Sequence, residues 1–322
     1  MLSKTQADAA NKLGTFGEIP RTLAKLCFAV ATVAAVLPAV PSHAENFAFV
    51  SANGGGTACT AAAPCKSIGD AFGNIAAPIR IICLSGSQPT TSGIGFGASV
   101  SVDIDCPLGF EGQIGVGTAA SNVTMRLRHL EFRNIGFSNQ IIFQGAGTLI
   151  LEDCVFTDVP GVALDLEPNG PLNVVIKNSR ISNAGSGILL KPAAGGSIKA
   201  TLDHVTITGN GGGGIKTDST NGIVNLDITD SEISNNAANG INLVGSANQN
   251  MLNLSRTVIA KNTLTGLQTN GAAAAALVET TLFDTNGAGA TTVVNGGHVL
   301  TYGNNRIVGT AGSGFTGSAS LQ

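Results

Sequence analysis

The chain has 322 residues, of which only 11% are charged, with a formal net charge of -3. That balance excludes the basic surface a nucleic-acid partner would require. Glycine is abundant at 43 residues, while aromatics are 4% with no Trp and a single Tyr. A compact globule of this size packs several large rings in its core, so the composition points to stacked, repeated units instead.

The first element is an address. Arg21 and Lys25 precede an apolar run from Leu26 to Val40, and Ser42-His43-Ala44 follows as a small-x-small cleavage site. This pattern predicts a signal peptide over residues 1–44, cut after Ala44. The run is short and Ala-rich for a membrane span, so none is expected once the signal is removed. Export also suits the cysteines. Cys27 lies in the leader, and Cys59, Cys65, Cys83, Cys106 and Cys154 remain, an odd set in a compartment that permits disulfides.

Residues 45–78 read as a lead-in and cap. Within them, Pro64–Ile75 places Ile68, Ala71, Phe72 and Ile75 on one face of a short amphipathic helix. Such a helix can cover the open end of a repeat structure, which otherwise exposes its core and strand edges.

A period appears from about Val123. Phe132, Phe156, Ile181, Ile207, Ile233, Ile259 and Phe283 recur at intervals of 24 to 26 residues. Five residues before them stand Leu127, Leu151, Ile176, Leu202, Ile228, Leu254 and Val278. Seven before stand Met125, Leu149, Val174, Ala200, Leu226, Leu252 and Ala276. The residue between those two columns varies freely (Arg126, Thr201, Asp227, Asn253), which is the in-out-in alternation of a half-buried strand. Three before each anchor come His129, Asp153, Asn178, His204, Asp230, Arg256 and Thr280, mostly turn-type residues. After the anchor, an Asn-rich turn (Asn183, Asn210, Asn235, Asn236, Asn262, Asn286) leads into Gly187-Ile188, Gly214-Ile215, Gly240-Ile241 and Gly266-Leu267, each opening a further strand.

Each repeat thus holds three short strands and three bends. One repeat cannot bury its own apolar face, but stacked repeats cover one another. The predicted fold is all-β, a single-stranded right-handed parallel β-helix over residues 79–310. A Gly/Ser-rich, loosely held tail follows over 311–322. The leucine-rich repeat has an overlapping period but needs a dominant Leu at its own spacing. Here Ile, Val and Ala share the columns.

The blocks NVVIKNSRISNAGSGILL, KATLDHVTITGNGGGGIKT and NLDITDSEISNNAANGINL resemble the right-handed parallel β-helix repeats of the pectin-lyase-like superfamily. FVSANGGGTACTAAAPCKSIGDAF resembles the lead-in of secreted bacterial proteins of that type.

The repeat gives the cysteines places. Cys83 and Cys106 are 23 residues apart, about one coil, so they can stack and bond. Cys59 and Cys65 would close a small loop beside the cap. Cys154 falls in a column with Leu130 and Ser179 and is expected to be a buried free thiol. The spacings do not form paired zinc knuckles. No metal and no cofactor is expected.

Two motifs shrink when set in the repeat. Gly209–Thr217 nearly spells a phosphate loop, but Ile215 separates Gly214 from Lys216. Asp203-His204 resembles an acid–base couple, yet His204 sits in the turn column and Asp203 continues a Glu152, Lys177, Asp203 ladder of alternating charge, which being exposed is worth little.

The resemblance implies that any carbohydrate chemistry lies on a strand face flanked by longer turns. The matching outward column reads Asp165, Leu189, Lys216, Asn242 and Gln268, with Lys191 and Asp218 just beyond. Lys216, Asp165 and Asn242 are the candidate catalytic residues, and Lys191, Asp218 and Gln268 the candidate binding residues. A lyase needs a base plus positive charge or a metal for the resulting anion. A glycosidase needs two carboxylates about 5–9.5 Å apart. Neither set is evident, and the paired Asp with Gly-His-Gly of polygalacturonases and the Arg-rich signature of pectate lyases are absent. Phe110, Phe137 and Phe143 are the candidate stacking aromatics, though each also suits the core. The expected function is an exported, non-catalytic module, monomeric, binding a polysaccharide, cell-surface glycan or other partner. The alternative is a polysaccharide lyase or glycoside hydrolase acting on acidic polysaccharide.

Overall fold

The computed structural model describes residues 46–85, 88–89, 93–107, 109–133 and 136–319. The segment that the sequence reading takes as a signal peptide, residues 1–44, lies outside them. Among the described residues, the chain winds through three parallel sheets of twelve, ten and nine strands, here called A, B and C. Each turn of the chain visits A, then B, then C, and each strand pairs with its equivalent in the next coil.

The register follows the columns read from sequence. Leu149 pairs with Met125 and Val174, and Leu151 with Leu127 and Ile176. Phe132, Phe156, Ile181 and Ile207 stack in sheet B. All these side chains are buried. Phe132 and Phe156 lie ring on ring with centroids 4.4 Å apart. Burying each such side chain contributes roughly 1.5–3 kcal/mol, and the stack runs the length of the solenoid.

The bends are sharp for a reason visible in the backbone. His129, Asp153, Asn178, His204, Asp230, Arg256 and Thr280 all adopt left-handed φ between 45° and 57°. Asn and Asp tolerate that region best. Arg256 and Thr280 show that the fold imposes it. The next residue turns inward: Leu130, Cys154, Ser179, Val205, Ser231, Thr257 and Thr281 are all buried. Where that residue carries a hydroxyl, it donates to the carbonyl two residues earlier, as Ser179 does to Lys177 at 2.7 Å and Ser231 to Thr229 at 2.7 Å.

The second bend separates the asparagines into two kinds. Asn183 and Asn235 sit at left-handed φ and are exposed. Asn210, Asn236, Asn262 and Asn286 are buried and form a ladder. Asn210 Nδ2 donates to Asn236 Oδ1 at 2.8 Å, Asn236 to Asn262 at 2.9 Å, and Asn262 to Asn286 at 2.9 Å. Three of the recurring glycines, Gly214, Gly240 and Gly266, fit against this ladder. A Cβ on Gly240 would lie 2.7 Å from Asn262 Nδ2 and 2.9 Å from Ile259 Cγ2, and one on Gly214 would lie 2.7 Å from Ile233 Cγ2.

At the N-terminal end, Asn46–Ser51 in the lead-in supplies the first strand of sheet A, pairing with Ile79–Ser85. Helix α1, Ile68–Asn74, is capped by Ser67, whose hydroxyl accepts from the Asp70 N–H. Its Ile68 and Ala71 are buried, and Phe72 and Ile75 pack against the core. Cys59 is bonded to Cys65, and Cys83 to Cys106 across adjacent coils with Cα atoms 4.8 Å apart. Cys154 is free and buried. Burial away from water pushes its thiol up to about 12.

The tail from 311 to 319 is held more firmly than its composition implies. Gly317–Ser318 adds the last strand of sheet A, and Thr291 Oγ1 donates to the Gly314 carbonyl at 2.7 Å. Backbone pairing with the last coil and the Ser313 hydroxyl, which accepts from the Val293 N–H at 3.2 Å, hold the tail there. Among the described residues no helix is long and apolar enough to cross a membrane.

Candidate functional site

Outward side chains stack in columns as regularly as inward ones. In sheet C, Asp165 pairs with Leu189, Leu189 with Lys216, Lys216 with Asn242, Asn242 with Gln268, and Gln268 with Thr292. Strand alternation puts all of them on the outer face, because Leu164, Leu166, Ile188, Leu190, Ile215 and Thr217 between them are buried. A second outward column runs beside the first: Glu167, Lys191, Asp218 and Val244. Leu189, Lys216 and Asn242 of the first column, with Lys191 and Asp218 of the second, floor a groove of about 420 Å³ walled by Val162, Ser186, Gly213 and Asn239, and Asp165 and Gln268 continue the first column beyond it. Asp165, Lys216, Asn242 and Gln268 therefore share one column, with Lys191 and Asp218 on the adjoining one.

Most charges in the groove are already engaged. Lys191 Nζ lies 3.1 Å from Glu167 Oε1. That hydrogen bond raises the lysine's pKa, with Asp218 and Asp165 adding to the effect. Asp218 Oδ1 accepts from the Thr220 N–H at 3.0 Å and from its hydroxyl at 2.6 Å. Asp165 is half-buried, and its Oδ2 accepts from Asn139 Nδ2 at 2.8 Å. Desolvation raises its pKa above the usual carboxylate range, with the Glu167 charge acting in the same direction. Its Oδ1 and the Oδ1 of Asn242 are buried without a hydrogen-bond partner. Lys216 is exposed and forms no ion pair among the described residues.

One recurring device escaped the sequence reading. Asn139 and Asn239 each stand two residues before an inward Ile. Asn139 Oδ1 accepts from the Val162 N–H at 2.9 Å while its amide holds Asp165. Asn239 Oδ1 accepts from the Thr265 N–H at 3.0 Å while its amide donates to Gln268 Oε1 at 2.9 Å. Each asparagine opens the next coil's strand and orients that coil's outward side chain. The signal was present as a spacing, but only two of the coils carry it.

The other candidates sit elsewhere. The phosphate-loop lookalike is a bend running into a strand that starts at Ile215, where Ile215 is buried and Lys216 faces out. His204 Nδ1 lies 2.7 Å from Asp203 Oδ1 on the bend between sheets A and B. Asp230 stands close by, but Arg256 grips both of its oxygens at 2.8 Å. The alternating-charge ladder needs correction. Glu152, Lys177 and Asp203 do share a column. Glu152, however, bonds Arg126 at 2.6 Å, and Lys177 forms no ion pair among the described residues. Arg126, on the coil before and in register with Ile150, reaches the Glu152 carboxylate diagonally, with Nε at 2.8 Å and Nη2 at 2.6 Å from Oε2. Phe143 is fully buried and Phe137 half-buried. Phe110 pairs with Phe132 in the anchor column, and its side chain lies outside the description.

Residues 87–226 match the family described as "Right handed beta helix region". Among solved structures, the chain is similar to pectate lyase Pel9A at 16% identity and a TM-score of 0.56, covering 86% of this chain and 79% of that one. A weaker likeness, at 9% identity and a TM-score of 0.41, is to the GH136 lacto-N-biosidase from Eubacterium ramulus, covering 82% of this chain and 68% of that one. No curated protein matches the sequence. The chain is a right-handed parallel β-helix with the pectin-lyase-like fold.

Proposed function

We propose that this β-helix is an exported, non-catalytic module that binds a glycan strand along the sheet C groove, parallel to the solenoid axis. The observation that carries the reading is the outward column itself. It presents Asp165, Leu189, Lys216, Asn242 and Gln268 on successive coils, with an unpaired lysine at its centre. Coils repeat about every 4.8 Å, close to the length of one sugar ring in an extended polysaccharide. A saccharide strand would thus meet one polar or apolar side chain per ring. Pocket walls of amides and hydroxyls suit sugar hydroxyls. Half-exposed Leu189 offers a surface for the apolar face of a ring.

The engagement of the groove's carboxylates supports binding over turnover. Glu167 serves Lys191, Asp218 serves Thr220, and Asp165 serves Asn139. A hydrolase would need two carboxylates free to act on one bond. The two disulfides suit an oxidising compartment, which supports export. The second reading is a lyase or hydrolase on acidic polysaccharide, favoured by Lys216, which has no ion-pair partner to neutralise it.

The test is a titration of the purified chain with pectate, alginate, glycosaminoglycan and neutral glycans, following binding, unsaturated product and new reducing ends together. Saturable binding without product is expected, weakened about tenfold or more by Lys216→Ala, as the loss of a charged hydrogen bond implies. Clean turnover abolished by that substitution would replace the binding reading with the lyase reading. Absence of binding to every glycan would end both.

A further inference from the structure

Resting on the glycan-binding reading, we infer that the groove selects an uncharged glycan rather than a polyuronate. The argument is the charge pattern along the strand's path. A polyuronate carries one carboxylate per ring, so each coil would have to receive one. Along the column Asp165, Leu189, Lys216, Asn242, Gln268 and Thr292, only Lys216 is a cation. A carboxylate beside Asp165 would face a like charge, and one beside Leu189 would lose water without gaining a partner.

The adjoining column does not compensate. Its single cation, Lys191, is held 3.1 Å from Glu167, and Asp218 follows on the next coil. The two outward columns therefore set Lys191 and Lys216 against Asp165, Glu167 and Asp218, with no excess of positive charge along the strand's path, although of these only Lys191, Lys216 and Asp218 line the groove itself. A surface meant for a polyanion would show the reverse, since complementary potential is what steers such a ligand in. What the groove offers beside them is amide and hydroxyl from Ser186, Asn239 and Asn242, with Gln268 and Thr292 further along the column. Desolvation, which raises the Asp165 pKa, agrees with a floor ill-suited to further negative charge.

The apolar rung gives the inference a sharp handle. Leu189 lies between Asp165 and Lys216 in register and is half-exposed. Leu189→Lys would put two cations on adjacent rungs of one column and create the pattern a polyuronate needs.

The experiment measures affinity of the full chain for neutral hexasaccharides (cello-, galacto-, manno- and chito-oligomers) and for hexagalacturonate and hexaguluronate. Titrations run at about 50 mM and about 0.5 M NaCl, between which screening of exposed charges becomes nearly complete. Circular dichroism confirms that each variant is folded. The expected result is a neutral oligomer bound at least about tenfold more tightly than either uronate, with less than about twofold change across that salt range. Leu189→Lys should then gain salt-sensitive uronate binding that the parent lacks. Preference of the parent for a uronate, weakening steeply with salt, would overturn the neutral-glycan inference and leave the groove standing as a glycan site. No binding of any oligomer would overturn the glycan reading itself.

Discussion

Asn236→Ala tests the internal ladder directly. Asn236 is fully buried. Its Oδ1 accepts from the Asn210 side-chain amide at 2.8 Å and from the Asn210 backbone N–H at 3.2 Å. Its Nδ2 donates to Asn262 Oδ1 at 2.9 Å and to the Ile207 carbonyl at 3.3 Å. Truncation to Ala leaves both Asn210 donors buried without an acceptor. An orphaned buried donor costs about 1–3 kcal/mol, so the two together predict a loss of about 2–6 kcal/mol. The neighbouring Asn235 provides the control. It is exposed, at φ 55°, with longer bonds of 3.1 and 3.4 Å to Ser234 and Thr208. Gly accepts that φ without strain, so Asn235→Gly should change stability by less than about 1 kcal/mol. Urea unfolding followed by circular dichroism reads both, with hydrogen exchange to locate any local opening, since repeat solenoids lose strict two-state behaviour. A loss below about 1 kcal/mol for Asn236→Ala, or equal losses for both variants, would refute the ladder argument.

Three further outcomes follow from the same geometry. Ile207→Asp places a charge in a fully buried stack and should cost more than about 4 kcal/mol or prevent folding, whereas half-exposed Asp227→Asn should stay within about 0.5 kcal/mol; comparable losses in thermal melts would invalidate the in-out assignment. The buried Cys154 thiol, pushed up to about 12, should resist iodoacetamide at pH 8 in the native protein and react once guanidinium unfolds it. Its folded pKa lies above the unfolded one, so its contribution to stability is complete below about pH 9 and falls as pH climbs towards 12; a parent-minus-Cys154→Ala difference that grows with pH would contradict this. For Asp165, whose pKa is raised by desolvation, the contribution is complete in acid and lost as pH rises through its folded pKa. Asp165→Asn keeps an acceptor for Asn139 and should leave the melting temperature at pH 7 equal or higher; a clear drop would mean that the ionised carboxylate stabilises the fold.

The sequence by itself determined the architecture, because a solenoid repeats one local rule. Every coil must bury the same positions, so Phe132, Ile207 and Phe283, about one period apart in multiples, expose the register without any knowledge of the whole. The turn-type column proved to be a left-handed backbone position, which is why Asp, Asn and His gather there. The pairing of Cys83 with Cys106 was legible for the same reason: one period in sequence is one rung in space. What the tertiary structure alone decided is what each polar residue touches. Adjacent Asn235 and Asn236 are the same residue type, yet one faces solvent and the other joins a buried ladder, a difference set by which side of a bend each occupies. The column from Asp165 to Gln268 could be written down from the period, but its meaning depended on side chains reaching between coils. Lys191 is paired with Glu167 from the coil before, Asp218 is held by hydrogen bonds from its own turn, and Lys216 has neither among the described residues. Those contacts depend on reach and direction across a few ångströms, and a one-dimensional pattern carries no such distances.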